Sequence, residues 1–133
     1  MLSINTFRSA LAAILVLLFA HGAQAAERLP FDAASFSAAQ NRGAPILVEV
    51  TAPWCPTCRA QKPILAELGS KPTHKDLVIF ALDFDSQKQD LRKFNAQSQS
   101  TLIAFRGAVE TARSVGDTNP ASIAQLLDST LAR

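Results

Sequence analysis

The only two cysteines of this 133-residue chain stand two residues apart, in Trp54-Cys55-Pro56-Thr57-Cys58. The apolar run Ile46-Leu47-Val48-Glu49-Val50 precedes them and a helical pattern follows. A Cys-x-x-Cys pair between a buried strand and a helix reads as a dithiol redox site. Cys55 falls at the helix N-terminus, where unpaired N–H groups and the helix dipole stabilise a thiolate. Cys58 lies one turn on, within reach of a disulfide with it. One sulfur can attack a substrate disulfide and the other can release the mixed disulfide. Cys55 is expected to be the more exposed nucleophile and Cys58 the buried resolving thiol. The bland alternative is a pair of inert core cysteines. A loop this short removes little entropy from the unfolded chain, so the pair's value is chemical rather than structural.

Other residues extend this reading. Glu49 lies in an otherwise apolar strand. Buried, it is expected to be protonated or hydrogen-bonded, with a raised pKa, and to accept the Cys58 proton, directly or through a water. At a strand edge it would simply be solvated. Trp54 either flanks Cys55 and shapes a docking surface or only packs. Thr57 can offer a hydroxyl to the Cys55 thiolate, weaker help than a histidine there would give, so the disulfide is expected to be less oxidising than in strong dithiol oxidants. Arg59 adds positive potential or lies on a solvated helix face. Asp83 and Asp85 read as loop capping rather than as metal ligands. His74 reads as a loop residue, far in sequence from the cysteines, which argues against a Cys-His hydrolase. No glycine-rich phosphate loop is present, and no cofactor or metal is expected.

The elements that must position these residues follow from pattern. Phe31 to Arg42 predicts a helix with Phe31, Ala34, Phe36 and Ala39 inward, capped by Asp32 or Ser35 and ended by Gly43-Ala44-Pro45. Ile46 to Thr51 predicts a strand covered on both faces. Pro56 opens the next helix, Ala60, Ile64, Leu65 and Leu68 give it an inner face, Pro63 should kink it, and Gly69 stops it. Lys71 to Lys75 predicts a polar loop, Leu77 to Leu82 a strand, and Gln87 to Gln97 a helix with Leu91 and Phe94 inward. Thr101 to Phe105 and Val109 to Ser114 predict an antiparallel hairpin about Arg106-Gly107. Asn119 caps a last helix with Pro120 at its first position and Ile123, Leu126, Leu127 and Leu131 inward. A short strand near Arg28 to Pro30 would complete an α/β fold, a central mixed sheet with helices on both faces.

The ends and the charge narrow the setting. Arg8, the apolar run Ala10 to Ala20 and Ala23-Gln24-Ala25 read as a secretory signal peptide over residues 1–25, with His21 leaving in it, and one domain over residues 26–133; the alternative is an uncleaved N-terminal anchor. No cysteine near the cleavage site permits a lipoprotein anchor, and the pattern looks bacterial, so the periplasm is the expected location. With 13 Lys and Arg against 11 Asp and Glu, nothing suggests nucleic acid as a partner.

The order of elements, with Trp-Cys-x-x-Cys after the first long strand, resembles the thioredoxin family over nearly all of residues 26–133. Pro63 falls where the family kinks its active-site helix, Glu49 where it buries an acid beneath the dithiol, and Gly116 where it has a glycine after the last strand. Cys55-Pro56-Thr57-Cys58 looks like the site of exported thiol reductases serving cytochrome c maturation. The resemblance implies a thioredoxin-like fold. A family lysine that often pairs with the buried acid is Ala81 here, so nothing obvious neutralises Glu49. The family also places a cis-proline before the strand facing the cysteines. That place is Ser100, in Gln97-Ser98-Gln99-Ser100-Thr101, and no proline lies between Pro72 and Pro120. A cis bond without proline costs about 2.5–4 kcal/mol, so a trans bond is expected. In the family this loop hydrogen-bonds the substrate strand and its proline helps keep metals off the sulfurs.

Three functions compete. The leading one is a periplasmic thiol-disulfide oxidoreductase reducing protein disulfides through Cys55 and Cys58, as a monomer, re-reduced by a membrane electron donor. Its docking surface would be Trp54, Pro56, Thr57, Gln99 and Ser100. The second is a dithiol oxidase; reducing members lie near about −270 mV and strong oxidants near about −120 mV. The third is a non-enzymatic metal-binding or chaperone-like module, motivated by Ser100, in which two chains share a soft metal.

Overall fold

The computed structural model describes residues 24–131. The signal-peptide reading falls almost wholly on residues outside these. Strand β1 (Glu27–Pro30) leads to helix α1 (Ala33–Asn41) and β2 (Pro45–Thr51). Then come α2 (Pro56–Gly69), a single 3-10 turn (Pro72–His74), β3 (Val78–Asp83) and α3 (Lys88–Lys93). The hairpin β4 (Thr101–Arg106) and β5 (Val109–Val115) precedes α4 (Pro120–Asp128). The strands form one five-stranded sheet in the order β1-β3-β2-β4-β5. β1 and β2 both run parallel to β3, and β4 is antiparallel to β2 and β5.

Alternation along β2 builds two cores. Ile46, Val48 and Val50 pack with Phe31, Phe36 and Ala39 at α1 and Leu91 of α3 on one face. Leu47 packs with Leu65 and Leu68 of α2 and Ile123, Leu126 and Leu127 of α4 on the other. A strand buried on both faces reads as a continuous apolar run, which is why β2 is legible as such. The sheet is thus mixed with helices on both faces, as expected.

Several local expectations need correction. α3 is shorter than Gln87 to Gln97. Asn95 takes the left-handed conformation (φ 53°), while the N–H groups of Asn95 and Ala96 donate to Arg92 and Leu91 carbonyls. This pair of bonds closes the helix one residue after Phe94, with Asn where Gly more often stands. Gly43 (φ 71°) ends α1 in the same way. Gly69 does not stop α2; it is its last helical residue, and Ser70 is the cap. Gly69 instead makes room for the chain entering β1: a Cβ there would sit 3.0 Å from Ala26 Cβ. Ala34 and Ala60 are exposed rather than inward. Next to the exposed Ala60, it is Gln61 that joins Cys58, Leu65 and Leu68 on the buried face of α2, and its polarity hides its burial from any hydrophobic pattern. His74 is buried within its 3-10 turn, between the Leu68 carbonyl and Asp128 Oδ1.

Candidate active site

β2 ends at Thr51 and the chain turns through Ala52 to Trp54 into α2. This puts the cysteines at the carboxyl end of a parallel strand, where open α/β sheets place their sites. Cys55 is the N-cap of α2, and its sulfur accepts from the Cys58 N–H at 3.0 Å. Pro56 occupies the first turn, where no N–H is needed. Cys55 and Cys58 form a disulfide with Cα atoms 5.3 Å apart.

Cys55 is not the exposed sulfur expected: both cysteines are 1% exposed. Ala52 and the half-buried Phe84 pack against them, and Ser100 stands over both. Ser100 Oγ lies 3.0 Å from Cys55 Sγ and 3.2 Å from Cys58 Sγ. Its peptide bond is trans, as expected, and its φ is 60°. Its N–H donates to the Val50 carbonyl at 2.8 Å. Its carbonyl accepts from Gly116 N–H at 2.9 Å and Gln61 Nε2 at 3.2 Å. Gln61 Nε2 also donates to the Asp117 carbonyl, tying α2 to the two loops that flank the dithiol.

Glu49 is wholly buried, on the same face of β2 as Leu47, which packs against α2. The expectation that nothing neutralises it is corrected. Arg28 Nε and Nη2 donate to Glu49 Oε2 at 3.0 and 2.7 Å. Arg28 reaches from β1 across β3, and the short Ala81 side chain opposite Glu49 leaves the way clear. The cation comes from the sheet edge instead of from the middle strand. Glu49 Oε1 has no partner among the described residues, and Glu49 lines a pocket of about 430 Å³ with Arg28, Lys62 and Leu65. No hydrogen bond joins Glu49 to either sulfur among the described residues.

Trp54 is 53% exposed, yet it is held. Its Nε1 donates to Asp85 Oδ2 at 2.8 Å and its ring meets Phe84 edge-on. Asp83 caps the following loop: Oδ1 accepts from the N–H groups of Asp85 and Ser86 and from the Ser86 hydroxyl. Thr57 is half-buried, and the hydroxyl on the sulfurs belongs to Ser100 instead. Pro56 is exposed and Gln99 half-buried beside them. Arg59 bonds the Pro53 carbonyl on an exposed face. Among the described residues no group of three or more His, Cys, Asp or Glu can hold a metal ion. Sequence reasoning missed Arg28, Gln61 and the direction of the Ser100 side chain, each of which depends on a contact distant in sequence.

The model of the Thioredoxin family matches residues 28–129. The chain belongs to the thioredoxin family. It is 34% identical to thioredoxin H-type of Brassica campestris over 82 residues, 62% of this chain and 65% of that protein. It is 32% identical over 92 residues to the bifunctional thioredoxin reductase/thioredoxin of Mycobacterium leprae, 69% of this chain and 20% of that protein. The chain thus spans less than two thirds of these relatives' lengths. Among solved structures, Trxlp of Edwardsiella tarda is 42% identical with a TM-score of 0.74, covering 76% of this chain and 98% of that one. Oxidised thioredoxin O2 of Arabidopsis thaliana is 26% identical with a TM-score of 0.67, covering 81% and 96%. The thioredoxin-like fold is therefore shared across the described sheet and its helices.

Proposed function

We propose that this thioredoxin-family chain is a thiol-disulfide oxidoreductase that reduces protein disulfides in the periplasm. The observation that carries the reading is Cys55 as the N-cap of α2, its sulfur facing the helix N-terminus and joined to Cys58 one turn later. In the reduced form the Cys55 thiolate attacks a substrate disulfide. One substrate sulfur leaves as a thiolate and takes a proton, and a Cys55–substrate disulfide remains. Cys58 then loses its proton and attacks Cys55 Sγ; the second substrate sulfur leaves and is protonated. Two electrons have passed to the substrate and the Cys55–Cys58 disulfide has formed.

Glu49 takes the Cys58 proton in this reading. Its support is burial beneath α2 and an oxygen, Oε1, left free by the Arg28 pair. Trp54, Pro56, Thr57 and the Gln99–Ser100 segment form the docking rim. Ser100's own N–H and carbonyl are taken inside the protein, so a substrate strand would pair with Gln99. The reducing direction is supported by the lack of a histidine between the cysteines. A signal peptide over residues 1–25 delivers the domain of residues 26–133, which works as a monomer and is re-reduced by a membrane electron donor.

Trapping tests the chemistry. Cys58→Ser mixed with an oxidised model protein should accumulate a mixed disulfide through Cys55, whereas Cys55→Ser should accumulate none. Equal trapping by both variants would sink the assignment. Glu49→Gln should slow resolution of the mixed disulfide; an unchanged rate across pH would remove Glu49 from the mechanism.

A further inference from the structure

We propose that the Ser100 hydroxyl is a built-in hydrogen-bond donor to the Cys55 thiolate, and that Ser100 thereby sets the redox poise of the dithiol. The proposal rests on the reading of Cys55 as the attacking thiol. It begins from geometry: Ser100 Oγ is within 3.0 Å of one sulfur and 3.2 Å of the other. A serine hydroxyl carries a single proton, so it serves one sulfur at a time. In the disulfide neither sulfur is charged and both are weak acceptors. Reduction puts a negative charge on one of them, and a hydrogen bond to a charged group is roughly twice as strong as a neutral one.

The surroundings decide which sulfur takes the charge. Cys55 Sγ already receives the Cys58 N–H and sits at the α2 N-terminus. Cys58 Sγ lies 3.9 Å from the Val50 carbonyl, an acceptor that suits a thiol S–H and opposes a second thiolate. Cys55 is therefore the anion, and Ser100 and the Cys58 N–H are its two donors.

The hydroxyl is also preorganised. Ser100 is 3% exposed, and its backbone is fixed by Val50 on one side and by Gly116 and Gln61 on the other. A donor already in place needs no reorganisation when the charge forms, and the low dielectric of a buried site strengthens it. Gln61 acts through Ser100 and is a positioning residue for it.

A hydrogen bond of this kind stabilises the thiolate, and so the reduced protein, by about tenfold in the equilibrium constant. Ser100→Ala and Ser100→Gly both remove the hydroxyl while keeping the backbone N–H and carbonyl. The alanine variant keeps the backbone cost of φ 60° and the glycine variant relieves it. The experiment equilibrates each folded protein with a thiol-disulfide buffer and follows Cys55 alkylation against pH. Both variants should favour the disulfide about tenfold more than wild type, about 30 mV more reducing. At pH values below the alkylation midpoint, their thiolate fraction should fall about tenfold. Equilibrium constants within twofold of wild type in both variants would overturn the proposal, as would a shift in only one, which would mark a backbone effect. Failure of the underlying reading shows separately, as a wild type alkylated first at Cys58, and that result overturns both.

Discussion

Glu49 and Arg28 show how one charge can be met from an unexpected direction. The carboxylate is wholly buried in the central strand, and its cation is a half-exposed arginine on the edge strand. Removing the cation strands the charge. Arg28→Met should destabilise the fold by about 2 kcal/mol in urea titrations, below the usual cost of breaking a fully buried pair because water reaches the guanidinium. Adding Glu49→Gln should recover much of that loss. A single Arg28→Met variant as stable as wild type would contradict the pairing. Ser100 is the second instructive residue. Its position is shaped against proline: φ is positive and its N–H is bonded to Val50. Ser100→Pro should cost about 2–3 kcal/mol, because proline fixes φ near −65° and has no N–H to give. Equal stability by thermal unfolding would show that the loop rebuilds freely. From sequence, only the missing proline was legible here. The inward hydroxyl and the Arg28 pair depend on how β1, β2 and the Gln97–Thr101 loop meet in space.

At the scale of elements, caps were the readable signals. Asp32 before α1, Pro56 in α2, and Asn119 with Pro120 before α4 all stand where local chemistry demands them. The failures were of two kinds. Asn95 ended α3 early because an asparagine can take the left-handed cap that glycine usually fills. Gly69 closes no helix with a left-handed turn, because its small size serves a neighbour, Ala26, rather than its own helix. The caps also make an acid-stability prediction. The Ser35 N–H and then its hydroxyl hold Asp32 below its ordinary pKa, and the Ser86 hydroxyl and then its N–H do the same for Asp83. A carboxyl depressed in the folded state contributes stability that is complete above its unfolded value, about 3.8, and is lost as pH falls through the folded one. The midpoint of urea unfolding should therefore drop below about pH 4, with a shallower drop in Asp32→Asn/Asp83→Asn. An acid limb equally steep in that variant would contradict the assignment.

The whole molecule shows why fold was more legible than site. Two covered faces follow from the near-continuous apolar run of β2, broken only by Glu49, and the hairpin from Arg106-Gly107. The strand order β1-β3-β2-β4-β5 then brings the end of β2, the start of α2 and the Ser100 loop to one place. The two cysteines, Glu49, Trp54 and the missing proline at Ser100 announce themselves in sequence; the burial of Cys55, the Gln61 brace and the inward Ser100 hydroxyl are products of assembly. What the assembly builds is a Cys55–Cys58 pair with a helix N-terminus and one neutral hydroxyl on Cys55, and no histidine between the cysteines. The missing histidine supports the reducing direction that we propose, and the hydroxyl, by stabilising the reduced form, moderates it. The decisive measurement is the Cys55–Cys58 reduction potential of residues 26–133, by anaerobic equilibration with glutathione or dithiothreitol. A value near or below about −230 mV is the result this account predicts. A value near about −150 mV or above would contradict it and make the protein a dithiol oxidase.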